Sequence, residues 1–235
     1  MNKKSSLMMR LSGAPYIVWA ALFIIVPLCM VAYYAFTDKS GAFTFDNMLS
    51  ISKYIDTIVL SVWLGLLATV ISLLIAYPLA MIMANKGPEK QSTMTMLIML
   101  PMWMNFLLRT YSWMTILENK GLINSAFAGI SELFGMQFDG FPLINNRGAI
   151  VLGMVYNYLP FMILPLYSVM AKIDKSVIEA SRDLGCNSVN VLFRVIVPLS
   201  LPGITSGITM VFVPAISTFI ISRMLGGGGN LLIGD

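Results

Sequence analysis

The sequence predicts an all-α membrane protein, a polytopic bundle of helices that cross the bilayer several times. Three observations predict it. Of the 235 residues, 57% are hydrophobic and only 11% are charged, whereas a soluble domain carries about 25% charged residues. The mean hydropathy of +0.81 implies more apolar surface than a soluble core can hide, so the excess must face lipid. Finally, the apolar runs reach the roughly 20 residues that a helix needs to cross the hydrocarbon core.

Five runs qualify as spans, at 15–36, 57–84, 93–117, 148–171 and 198–222, and the chain 1–235 reads as one transmembrane domain. The first follows the basic segment MNKKSSLMMR and has no small-residue cleavage site at its end, so it reads as a retained span rather than a signal peptide. The second is long enough to tilt. Between the third and fourth, Leu122–Phe134 has a helical apolar period but is too short to span, and reads as a helix along the outer surface. The spans contain Pro78, Pro101, Pro160, Pro165, Pro202 and Pro214. Membrane helices tolerate such kinks where neighbours satisfy the freed carbonyls. Gly203-Ile-Thr-Ser-Gly207 is a small-xxx-small pattern that lets the fifth span approach a neighbour closely. The glycine-rich stretch Arg223–Asp235 reads as a loop awaiting a sixth span.

Lys and Arg set the orientation, because cytoplasmic loops carry the excess. Lys3, Lys4, Arg10, Lys86, Lys90, Lys172, Lys175, Arg182 and Arg194 fall on one side, against Lys39, Lys53, Lys120, Arg147 and Arg223 on the other. The N-terminus is therefore expected in the cytoplasm. The net charge of +4 reports this topology. The basic residues form no patch, which excludes nucleic acid as a partner.

Composition also argues against chemistry on this chain. There is no histidine, the commonest general base and metal ligand, and the two cysteines, Cys29 and Cys186, are isolated. No catalytic residue, bound cofactor or metal is expected. The nineteen methionines, dense at Met94–Met104, read as filler between helices. Gly226–Gly229 is followed by Asn230 and Leu231 rather than by the Lys and Ser of a nucleotide-binding loop, so it reads as a flexible turn.

The most informative stretch is the cytoplasmic segment 172–197. Asp174 stands where an N-cap would, before a short helix over Lys175–Leu184, and Gly185 stands where a left-handed residue would end it. Ile178, Ala180 and Leu184 are expected to form its apolar stripe. A short amphipathic helix ended by glycine suits insertion into another protein's groove, and is equally an ordinary interfacial helix.

A resemblance decides between these. Glu179-Ala180-Ser181, three residues, Gly185, nine residues, then Val195-Ile196-Val197-Pro198 resembles the Glu-Ala-Ala signature of ATP-binding-cassette import permeases. It departs from that signature at Ser181, Val195 and Val197. The resemblance implies the fold of a type I importer permease, with a loop that docks on ATPase subunits through Glu179, Ala180, Ser181, Gly185 and Pro198. Longer stretches, among them NFLLRTYSW at Asn105–Trp113 and VYNYLPFMILPLYSVMAKIDKSVIEASRDLG, look like permeases of spermidine/putrescine importers. Polyamine cargo is thereby implied. So are a dimer of ATPase subunits holding ATP and Mg, a second homologous permease subunit and an extracytoplasmic binding protein. The departures are the stop at Asp235 and the positive charge of Arg223. The alternatives are the same machine with thiamine, ferric iron or an anion as cargo, or a channel or carrier that uses no ATP.

A polycation pathway wants aromatic faces and oxygen ligands. Trp103, Asn105, Tyr156, Asn157 and Tyr158 are the candidates, although three consecutive residues cannot all face one pathway. Tyr111 and Trp113 suit an interfacial aromatic belt. None of the eleven acidic residues falls deep in a span, which argues against proton- or sodium-coupled transport, and Glu118, Asp56 and Asp139 are placed near the outer mouth. Arg109, within the third span, is assigned either a bond to the outer loop or a partner's carboxylate, or a snorkelling position.

Overall fold

The computed structural model describes residues 14–38, 41–134, 138 and 140–235. Lys3, Lys4, Arg10, Lys39 and Asp139, which entered the topology and mouth assignments, lie outside the described residues. The chain divides into two compact units, 1–56 and 57–235.

In the first unit, helix α1 runs over Ala14–Ala35. It widens into a π-helical turn at Ala21–Ile25, which ends two residues before Pro27. A proline lacks the N–H for its helical bond and presses on the preceding turn, and a widened turn accommodates both defects. After α1, Thr37 pairs with Phe43 in an isolated antiparallel bridge, over which Phe36, Phe43 and Phe45 cluster.

The second unit holds the packed bundle. Helix α2, Ile55–Ala84, buries a face of small residues at Ser61, Gly65, Ala68, Ser72, Ala76 and Ala80. Their three- and four-residue spacing keeps them on one side of the helix. The expected third span is interrupted. It consists of α3, Pro88–Met99, a tight turn over Leu100–Trp103, extended backbone at Met104 and Asn105, then α4, Phe106–Leu117. Helix α5 occupies Leu122–Leu133 as expected, and buried Asn124 ties it to Phe141, donating to its carbonyl at 3.0 Å and accepting from its N–H at 2.9 Å. Helix α6, Arg147–Met170, stays helical through Pro160 and Pro165.

Helix α7 is Lys175–Asp183, and α8 is Ser188–Ile216 with a second π-helical turn at Leu192–Ile196 before Pro198. The expected fifth span, 198–222, stops being helical at Ser217 and resumes as α9, Ile220–Leu225. Four uninterrupted helices in the described residues are long and apolar enough to cross a membrane. The broken α3–α4 pair is the remaining expected crossing.

Two cores lie along α6. One gathers Leu64, Ala68, Ile150, Met154, Ala215 and Ile221, the other Ala76, Ala80, Met83, Met162, Leu166 and Val211. Helices α2, α6 and α8 share both. The small-xxx-small pattern sits at this contact: a Cβ on Gly203 would lie 3.0 Å from the Pro165 carbonyl and one on Gly207 2.6 Å from Met162 Sδ. The tyrosines spend their hydroxyls between helices, Tyr77 with Ser200 at 3.1 Å and Tyr167 with Gln91 at 3.0 Å.

Candidate coupling helix and transport pathway

Helix α7 begins because Asp174 accepts a hydrogen bond from the Ser176 N–H at 2.9 Å, satisfying an N–H that the first turn leaves free. That backbone bond, with a second from the Ser176 hydroxyl, holds the Asp174 carboxyl below its ordinary value. The helix ends in a Schellman arrangement. Gly185 takes φ +84°, its N–H donates to Arg182 O at 2.8 Å and the Cys186 N–H donates to Ser181 O at 3.1 Å. Asn187 then caps the start of α8 by accepting from the Asn190 N–H at 2.8 Å.

The helix touches the bundle along one edge. Ser181 is buried, and half-buried Ile178 faces a small cavity shared with Met81, Ala84, Met170 and Ile196, where α2 and α6 end and the widened turn of α8 stands. The expected stripe of Ile178, Ala180 and Leu184 does not hold together. Ala180 is exposed and Leu184 is 86% exposed, and Val177, Val189 and Phe193 are exposed as well. Leu184 is the cap residue rather than a helical one, so its side chain leaves the periodic face. Glu179 and Gly185 are exposed, and Pro198 follows the π-helical turn.

The opposite end of this unit collects Glu118, Lys120, Asn145 and Arg223 around an open cavity of about 660 Å³. The loops 85–87 and 171–187 are thus at one end and 118–121 and 140–146 at the other. Within the described second unit this is the grouping that alternating spans require. Asp56 is exposed, in the first turn of α2.

Asn105 is spent as the cap of α4, accepting from the Leu107 N–H at 2.8 Å, and Trp103 stands 71% exposed at the break. Tyr156, Asn157 and Tyr158 point three ways. Tyr156 meets Trp113 edge-on at 5.3 Å. Asn157 is buried, its NH2 donates to Gly153 O at 2.9 Å, and its Oδ1 has no partner. Tyr158 O–H donates to Pro214 O at 3.4 Å. Arg109 is turned inward, 8% exposed, its Cζ 6.0 Å from the Phe106 ring centre and its Nε and Nη1 without acceptors.

One cluster escaped sequence reasoning. Arg223, odd for a cation pathway, pairs with Asp235: Nε donates to Oδ1 at 2.8 Å, and the carboxylate side chain is 3% exposed. Oδ2 of Asp235 accepts from Ser222 O–H and from Leu232 N–H, each at 2.8 Å. Nothing in the local sequence signals this pairing, because it depends on the chain folding back. The same fold-back orders the glycine run expected to be a flexible turn. Gly226 is buried and its carbonyl accepts from Asn230 Nδ2 at 2.8 Å.

A helical bundle with one interrupted span, and a capped surface helix seated on its end, has the form of a membrane permease. The match to known proteins is specific. Residues 76–234 fit the family described as binding-protein-dependent transport system inner membrane component, and the chain belongs to that family. It is 35% identical to the spermidine/putrescine transport system permease protein PotB of Haemophilus influenzae, over 92% of this chain and 77% of the relative. It is 33% identical to PotB of Escherichia coli, over 92% and 80%. The inner membrane ABC transporter permease protein YdcU of Escherichia coli is 26% identical over 88% and 71%. The chain is therefore the membrane component of an ATP-binding-cassette transport system, whose members work with an ATPase and a binding protein.

Proposed function

We propose that this chain is a permease subunit of a bacterial polyamine importer, lying in the inner membrane with its N-terminus in the cytoplasm. The observation that carries the cargo is the similarity to spermidine/putrescine permeases over 92% of the chain. It covers the spans as well as the coupling segment. ATP and Mg reside on a dimer of ATPase subunits, a second homologous permease completes the channel, and an extracytoplasmic protein delivers the cargo.

In this reading the exposed face of α7, with Glu179, Ala180, Leu184 and Gly185, docks on an ATPase subunit. Closure of the ATPases moves α7, and the movement reaches the ends of α2 and α6 through Ile178. Access to the pathway then alternates between the two membrane faces. Trp103, Asn105, Tyr156, Asn157 and Tyr158 remain the pathway candidates, the first two at the α3–α4 break and the others on α6. Arg109 is a structural or partner contact.

The test is ATPase activity of the assembled complex in lipid, with binding protein that is empty, loaded with spermidine or putrescine, or loaded with thiamine. Stimulation by the polyamine-loaded form alone is expected. ATP hydrolysis indifferent to polyamine overturns the cargo, and a chain that purifies without any ATPase overturns the coupling role of α7.

A further inference from the structure

Between α2 and α6 an apolar furrow of about 720 Å³ opens on the side of the bundle. Trp63, Leu67, Ile71 and Ile75 form one wall, and Val151, Leu152 and Leu159 the other. The α2 wall rises about 18 Å and the α6 wall about 12 Å at 1.5 Å per residue, a mean of about 15 Å. That is close to one leaflet's share, about 15 Å, of a 30 Å hydrocarbon core. Because α2 and α6 both finish beside α7, Trp63 and Arg147 stand together at the furrow's other end.

That end is positively charged, and no acidic residue lines the furrow. Arg147 Nε donates to Asn230 Oδ1 at 3.4 Å, and Asn230 is itself held by Gly226. That contact uses Nε and leaves the two terminal nitrogens as a fork for an acceptor. Arginine presents that fork to phosphate with matching geometry. The start of α6 adds to it: the Asn146 cap serves Ala149 and leaves the N–H groups of Arg147 and Gly148 unused, at the positive end of a 24-residue helix.

We propose that this furrow holds an acyl chain of an anionic phospholipid whose phosphate sits on Arg147. The charge fixes the headgroup at one end, and the length of apolar wall matches the chain in a single leaflet. A helix of a second permease subunit has no use for an arginine fork at the furrow mouth unless it brings a carboxylate there. The proposal is independent of which cargo the transporter moves.

The assembled transporter is reconstituted in vesicles of equal phosphatidylglycerol and phosphatidylcholine, repurified, and its retained phospholipids are counted. The wild-type complex is expected to retain phosphatidylglycerol over phosphatidylcholine by about fivefold, the equivalent of one arginine acting on an anionic lipid. Arg147→Gln brings the ratio close to one while the complex stays assembled. Leu67→Trp, which fills the furrow from a partly exposed position, lowers retention of both lipids. A photo-cross-linking residue at Leu152 is expected to capture lipid. An undiminished phosphatidylglycerol preference in Arg147→Gln overturns the headgroup site, and a cross-link from Leu152 to protein shows that a helix fills the furrow instead.

Discussion

Replacing Gly185 isolates the contribution of one backbone angle to energy coupling. Its φ of +84° lies in the left-handed region, which costs an L-residue with a β-carbon about 1–2 kcal/mol. A Cβ there would meet nothing within 4 Å, so no clash adds to that cost. A penalty of this size shifts the balance between the closed Schellman cap and an opened one by a factor of about 5–30. Asparagine tolerates the left-handed conformation better than alanine, and a β-branched side chain tolerates it least. The assay is the number of substrate molecules imported per ATP hydrolysed in proteoliposomes. The expected order is glycine, then asparagine, then alanine, then valine, with expression and folding retained because the site is exposed. Alanine and valine variants that couple as well as wild type would refute the link between cap geometry and coupling. So would an asparagine variant as damaged as valine, because that would mean side-chain bulk rather than backbone angle matters.

The seam between α6 and α8 should respond unequally to added methyl groups. Gly203→Ala meets fixed backbone at 3.0 Å whereas Gly207→Ala first meets the turnable thioether of Met162 at 2.6 Å; overpacking costs about 1–3 kcal/mol, and Gly203→Ala is expected to lower the melting temperature in detergent further. Tyr77→Phe and Ser200→Ala, which break one interhelical bond of 3.1 Å, should show a coupling of about 0.6 kcal/mol in a double-mutant cycle; full additivity would mean the bond contributes nothing. The Asp174 carboxyl is held below its ordinary value, so its stabilisation of α7 is complete above the ordinary carboxylate range and is lost as pH falls through the lower, folded value. Amide protection of Val177–Glu179, corrected for intrinsic exchange, should therefore stay flat from neutral pH to about 4 and fall below it, whereas Asp174→Asn should show no such fall.

What was legible in the sequence depended on the range of the interactions. The ends of α7 were readable because capping is local: Asp174 and Gly185 act on groups a few residues away. The spans of α2 and α6 were readable from length and composition. The interruption of the third span was not, since a hydropathy window measures apolarity and not backbone continuity. Its signal was present in Pro101 followed four residues later by Asn105, a helix breaker and then a cap before Phe106. Side-chain chemistry alone marks Asn105 as a pathway candidate and does not disclose its place as a cap. Leu184 was misassigned to the inner stripe because helical periodicity was extended one residue beyond the last helical turn. The Arg223–Asp235 pair was beyond reach, because the loop between them closes through Leu232 and through the Ile233 N–H on Ser61 at 2.9 Å, a contact between distant parts of the chain.

The two π-helical turns share one cause and differ in consequence. Each ends two residues before a proline, at Ile25 before Pro27 and at Ile196 before Pro198. In each case a missing N–H and a crowded preceding carbonyl are absorbed by widening the turn rather than by breaking the helix. In α1 the widened turn has no buried residue beside it. In α8 it lies between the Asn187 cap and the tightly packed segment that begins at Ser200, with Ile196 against the cavity that receives Ile178. Below it stands the capped helix that meets the ATPase in the proposed function, and beyond it the Gly203–Gly207 contact with α6. A regular α-helical turn at that point would join the start of α8 stiffly to the seam. A widened turn has weaker backbone bonding at that point, and in the proposed function it would let the start of α8 follow α7 against the ends of α2 and α6 while the α6–α8 seam stays closed. Within the proposed function, the Ile-x-Leu-Pro part of the signature, Val195–Pro198 in this chain, has a physical role distinct from that of Glu179: one end of the motif would be presented for docking, and the other would let the docked helix move.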